Sequence, residues 1–149
     1  DITIAGSCTS HNAPGTYHDH GVYFSMASGG VSDILIDGLT VDGTASNGLD
    51  SAVHWYHSAA GSPNARNVTV RRMKVTGTEM AIIVWDKTVQ NIVIEDSTIT
   101  GATRFATRYE DGGTVTLRRV TSTGSGVQGF YSSIGSNPPG VTFENVSLR

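Results

Sequence analysis

Asn67-Val-Thr-Val-Arg-Arg-Met-Lys-Val-Thr-Gly77 places apolar residues at Val68, Val70, Met73 and Val75. That is alternation, one irregular step at Arg71-Arg72, then alternation again. Period-two alternation puts one side of a strand in a core and the other in water. The step at Arg71-Arg72 predicts a bend, and Gly77 predicts a closing position with positive φ.

The same template recurs at Asp33 to Gly43, Asn91 to Gly101, Thr114 to Gly124 and, without its glycine, Gly140 to Arg149. Asp1 to His11 reads as a degraded first copy. A fixed motif repeated along the whole chain is the mark of a repeat protein. Aligned, the copies give two apolar columns: Ile2, Ile34, Val68, Ile92, Val115, Val141, and Ile4, Ile36, Val70, Ile94, Leu117, Phe143. The next column reads Ala5, Asp37, Arg71, Glu95, Arg118, Glu144, with charges alternating in sign from the second copy onward. Arg72, Asp96 and Arg119 repeat that alternation one position later. Strands stacked ~4.8 Å apart would set each charge against its opposite.

Between templates lies a further apolar segment: Gly21 to Ser25, Ala52 to Tyr56, Ala81 to Trp85, Phe105 to Tyr109, Gly129 to Ser133. Each coil therefore holds a bent pair of strands and a third strand. Template starts at Ile2, Ile34, Val68, Ile92, Val115 and Val141 are 32, 34, 24, 23 and 26 residues apart. The extra residues of the early coils fall at His11 to Asp19, Thr44 to Asp50 and Ser58 to Ala65. The fold expected is all-β: a right-handed, single-stranded parallel β-helix of about six coils, three strands per coil, over residues 1–149. Right-handedness follows from the rule for parallel crossovers. The competing β-sandwich needs hairpin turn dipeptides and gives no column registry.

The chain has 149 residues, 18 of them glycine, and a formal net charge of −3. No apolar run is long enough for a membrane span, and the charge argues against a nucleic-acid partner. Cys8 is a single cysteine, which excludes an internal disulfide. The repeats begin at Asp1 and break off at Arg149 without evident caps. The expectation is a piece of a longer protein, or ends packed against another chain.

In the third strand, Val22, Val53, Ile82, Phe24, Trp55 and Val84 are expected inside. Tyr23, His54, Ile83, Ser25, Tyr56 and Trp85 are expected outside. In the fourth segment, burial favours a register with Phe105 and Thr107 inside and Arg108 outside, beside Trp85. One face thus gathers Tyr23, Tyr56, Trp85, Arg108, Tyr109 and Tyr131 as candidate substrate contacts, since aromatic rings pack flat on sugar rings. Asp19, Asp50 and Glu79 each precede a third strand by two residues and are expected to stack. Asp86 and Glu110 follow theirs. Paired carboxylates at such separations suit glycosidic acid–base chemistry of either stereochemistry, and clustered ones suit Ca²⁺. His18-Asp19-His20 reads as a metal site, acid–base machinery or a polar loop, and no metal is expected. His57 is considered as a further ligand. The sequons at Asn67 and Asn145 fall within strands.

Asp19-His-Gly-Val-Tyr-Phe-Ser25, followed by Val31-Ser-Asp-Ile-Leu-Ile-Asp-Gly-Leu-Thr-Val41, resembles the right-handed β-helix repeats of the pectin-lyase-like superfamily. It is locally similar to the Gly-His-Gly-Ile-Ser-Ile-Gly-Ser segment of polygalacturonases, the family 28 glycoside hydrolases. That resemblance implies the fold, and it implies an active-site-adjacent role for His20. The family's catalytic Asn-Thr-Asp, Asp-Asp and Arg-Ile-Lys motifs are absent.

The function expected is a secreted, extracellular, bacterial carbohydrate-active protein that binds and cleaves a polysaccharide. Hydrolysis would use Asp19, Asp50 and Glu79, with Asp86 and Glu110 in reserve and His20 or His54 auxiliary. No cofactor is expected. The alternatives are a uronate lyase, with Arg108 as base and Ca²⁺ as cofactor, or a non-catalytic glycan-binding or adhesion module.

Overall fold

A computed structural model describes residues 2–5, 19–24, 30–44, 49–56, 65–86, 88–109, 113–124, 126, 128–133 and 138–149. Its strands are β1 (Ile2–Ala5), β2 (Asp19–Phe24), β3 (Val31–Asp37), β4 (Leu39–Asp42), β5 (Leu49–Tyr56), β6 (Ala65–Arg71) and β7 (Lys74–Thr76). There follow β8 (Met80–Trp85), β9 (Gln90–Thr100), β10 (Phe105–Tyr109), β11 (Val115–Thr123), β12 (Gln128–Ser132), β13 (Val141–Glu144) and β14 (Ser147–Leu148). There is no helix among the described residues.

The strands form two parallel sheets, and the chain alternates between them. One sheet runs β1-β4-β7-β9-β11-β13, with β3 and β6 joined to it through β9, and β14 beside β11. The other runs β2-β5-β8-β10-β12. The molecule is a parallel β-solenoid. The bent pair is two strands in β3–β4 and β6–β7, but β9 and β11 pass through the bend unbroken.

Like template positions lie one above another. Asp37 pairs with Arg71, Arg71 with Glu95, Glu95 with Arg118 and Arg118 with Glu144. The apolar columns from Ile34 and Ile36 keep the same register. The first copy departs from the expected alignment. Ile2 pairs with Leu39 and Ile4 with Val41, so β1 continues the second half of the template rather than the first. Ile2-Thr-Ile-Ala alternates as Leu39-Thr-Val-Asp does, and a period-two pattern cannot tell the two halves apart.

The bend has a specific backbone cause. The sixth template residue is left-handed in five copies: Gly38, Arg72, Asp96, Arg119 and Asn145 have φ of 76°, 53°, 51°, 50° and 54°. One such residue turns the chain without ending the ladder. The closing glycines Gly77, Gly101 and Gly124 are also left-handed. Gly43 is not, and is required for space instead: a Cβ there would lie 2.7 Å from the Gly77 carbonyl oxygen.

Ion pairs line the bend. Arg71 and Arg72 both hold Asp37, at 2.7 and 2.6 Å. Arg119 grips Asp96 through two hydrogen bonds, and Arg118 spans Glu95 and Glu144. The Arg71 and Arg72 hydrogen bonds pull the Asp37 carboxyl down to about 2. Arg119 lowers Asp96, and Arg118 lowers Glu144, in the same way. Between the sheets, Val68, Val70, Ile92, Ile94, Leu117, Val53, Ile82 and Val84 are buried, and Phe24 stacks on Trp55 with ring centroids 5.2 Å apart. Each fully buried Val, Ile or Leu contributes about 1.5–3 kcal/mol.

Candidate functional site

The second sheet positions the site, and its registry sets which side chains meet. Tyr23, His54, Ile83, Arg108 and Tyr131 form one row across β2, β5, β8, β10 and β12. Two positions later Tyr56 pairs with Trp85. Both rows point away from the intersheet core.

Before these rows the strands break their alternation. Ala52 and Val53, and likewise Ala81 and Ile82, both belong to the core. Two successive inward residues need a small first one, and Gly21, Ala52, Ala81, Ala106 and Gly129 occupy that position. A Cβ on Gly21 would come within 2.7 Å of the Ala52 carbonyl oxygen. The break puts His20, Ser51, Met80 and Phe105 back on the outer side. Phe105 therefore corrects the expected register. Thr107 is inside and Arg108 outside, as expected, but Phe105 packs outside with Met80, Ile83 and Tyr131. The column of small residues was visible in the sequence and is the signal that reading missed.

Three exposed rings stand in a row: Tyr23, Tyr56 and Trp85 are 46 %, 39 % and 43 % exposed, the first two tilted by 38° and the last two edge-on at 79°. Their centroids step by 6.0 Å and then 5.8 Å. The Arg108 guanidinium lies 5.6 Å from the Trp85 ring and 6.0 Å from that of Tyr131, extending the row as a cation over aromatic faces. Tyr131 stacks on Phe105, and Arg104 covers the Phe105 ring. Tyr109 does not join them. It is buried in the core, and its hydroxyl donates to the Gly113 carbonyl at 2.6 Å, so it presents no ring to a ligand.

At the Tyr23 end, three groups are joined. His20 Nδ1 lies 2.7 Å from Ser51 Oγ, and His20 Nε2 lies 3.1 Å from His54 Nδ1. The His20 ring stacks on Tyr23 at 4.7 Å, and His54 stands edge-on to Tyr23 and Tyr56. His54 belongs to the outer row yet is nearly buried, because these rings cover it.

Of the expected carboxylates, Asp50 and Glu79 directly precede the paired Ser51 and Met80 and so hold equivalent positions on adjacent strands, as expected. Asp19 opens β2 and pairs with Leu49, with a register shift before His20, so Asp19 and Asp50 are not in Cα register. The side chain of Asp19 lies outside the described residues, as do Glu110, His18, Ser25 and His57. Asp50 is buried. Asp86 is buried too, and its Oδ1 accepts hydrogen bonds from the backbone N–H and hydroxyl of Thr88, closing a turn. Glu79 is partly open to solvent and pairs with Arg104 at 3.2 Å. Among the described residues, no three His, Cys, Asp or Glu side chains are grouped to hold a metal ion.

Asn67 falls within β6, as expected, while Asn145 lies at the bend between β13 and β14. Asn67 has φ 52° and Asn145 φ 54°. Asn67 is one rung of a side-chain ladder: its Nδ2 donates to Asp33 at 2.9 Å, and its Oδ1 accepts from Asn91 at 3.1 Å. The chain matches no protein-family model, no curated protein and no solved structure.

Proposed function

We propose that the outer face of the second sheet binds an extracellular polysaccharide. The observation that carries this reading is the row of exposed rings, Tyr23, Tyr56 and Trp85, continued by Arg108 and Tyr131. Soluble proteins seldom leave large aromatics contiguous and uncovered without a partner for them. The apolar faces of sugar rings pack against single rings of such a row, while hydroxyls reach Arg108 and the phenolic groups. The rings come from successive coils, so the row runs along the solenoid axis, which suits a polymeric ligand.

Binding is tested on an array of insoluble and soluble glycans. The wild-type chain is expected to retain at least one polysaccharide, and Trp85→Ala and Tyr56→Ala each to weaken it about tenfold or more, without loss of fold by circular dichroism. Unchanged retention in both variants would remove the reading.

Hydrolysis is the second activity we propose for this face. It is favoured by Glu79, whose side chain is 43 % exposed at the Phe105 end. Glu79→Gln is expected to abolish release of reducing ends from the retained glycan while leaving retention intact.

A further inference from the structure

We propose that His20 and His54 form a two-imidazole site for a transition-metal dication of the Zn²⁺ or Cu²⁺ class. The site does not depend on the glycan reading. Its basis is the convergence of His20 Nε2 and His54 Nδ1, contributed by adjacent strands β2 and β5 and separated by 3.1 Å. Two imidazole nitrogens bonded to one metal at ~2.0–2.1 Å lie about 2.9 Å apart at a right angle and about 3.3 Å apart at the tetrahedral angle. The observed separation falls between these limits. The rings meet edge to face, 79° apart in plane with centroids 4.5 Å apart, so they are not stacked over one another at the site.

The surroundings are those of a held ligand pair. His20 Nδ1 sits 2.7 Å from Ser51 Oγ, and Ser51 is fully buried. A hydrogen bond at the second ring nitrogen fixes the ring, and Ser51 Oγ can accept from Nδ1–H, the tautomer whose Nε2 carries a lone pair. Tyr23 stacks against His20, and Tyr56 stands edge-on to His54, so neither imidazole rotates freely. Imidazole nitrogen suits Zn²⁺, Cu²⁺ and Ni²⁺ over the oxygen-seeking Ca²⁺ and Mg²⁺.

Without metal, one N–H lies between the two nitrogens. With metal, His54 carries its proton on Nε2 and His20 on Nδ1, donated to Ser51. Each ring keeps one proton: the metal replaces the hydrogen bond between them, and the shared proton moves to the buried His54 Nε2. Two protein ligands leave the other coordination positions to water or to oxygen atoms of a third molecule.

The test uses the full chain, stripped with chelator and titrated with Zn²⁺ by calorimetry, and with Cu²⁺ by electron paramagnetic resonance. One equivalent is expected to bind. His20→Gln and His54→Gln are each expected to lose that equivalent, and Ser51→Ala to weaken it roughly 10- to 100-fold. Should a histidine variant fail to fold, the wild-type Cu²⁺ spectrum decides: superhyperfine splitting from two nitrogens supports the site, and its absence overturns it. No binding by the wild type, or an equivalent that survives either histidine substitution, also overturns it.

Discussion

Thr107, Arg108 and Tyr109 are consecutive, and three different forces place them. Arg108 goes outward because an unpaired guanidinium in the core is prohibitive; outside, it lies over Trp85 and Tyr131. Tyr109 goes inward because its ring fills the core while its hydroxyl finds the Gly113 carbonyl. Thr107 follows from alternation alone, taking the row of Val53 and Ile82 with its hydroxyl buried and, among the described residues, without a hydrogen-bond partner. An unsatisfied buried hydroxyl is destabilising. Thr107→Val keeps the shape and removes that hydroxyl, so it is expected to raise stability by about 1 kcal/mol. Urea unfolding of the two proteins would show it as a later midpoint at equal slope. A variant less stable than wild type would mean that the hydroxyl is satisfied.

The bent strand pair is the element on which the solenoid is built, and its corners use side chains as well as backbone. Asp33, Asn67 and Asn91 all open their templates with φ near 50–60°. Asp and Asn tolerate this region better than other non-glycine residues. They also bond to one another from coil to coil, and the Asn91 backbone N–H reaches Thr114 Oγ1. Asn67→Ala is expected to destabilise the fold by about 1–3 kcal/mol, combining lost hydrogen bonds with a left-handed alanine. Asn67→Gly should recover the backbone part only. If both variants unfold with wild-type midpoints in urea, the ladder contributes nothing. The template periodicity showed where the strand bends, at Arg71-Arg72. It did not show that a single left-handed residue makes the bend: Gly38, Asp96 and Asn145 are types that tolerate positive φ, but Arg72 and Arg119 at the same position are not.

At the scale of the whole molecule, the charge columns tie successive coils together along one corner. Asp37, with its pKa depressed to about 2 by Arg71 and Arg72, gives the clearest pH signature. A carboxylate whose folded pKa lies below its usual 3.8 adds stability above pH 3.8 and loses it as pH falls toward 2. Asp37→Asn should therefore be less stable than wild type at pH 5–7, with the gap closing between pH 3.8 and 2 in urea titrations. Added salt should also narrow it, since the arginines are solvent-exposed. A gap that persists unchanged at pH 2 would show that charge is not its source. The sequence by itself determined the solenoid. Alternation fixes which side of each strand is wet, and a parallel register then needs only that like columns coincide, as the alternating charges of Asp37, Arg71, Glu95 and Arg118 showed. Only the tertiary structure decided that β1 belongs to the second half of the template, that Phe105 lies outside, that Tyr109 lies inside, and that His20 meets His54. Each of these rests on a contact between strands, or on a change of parity at one small residue. A local period-two pattern is identical on either side of such a shift.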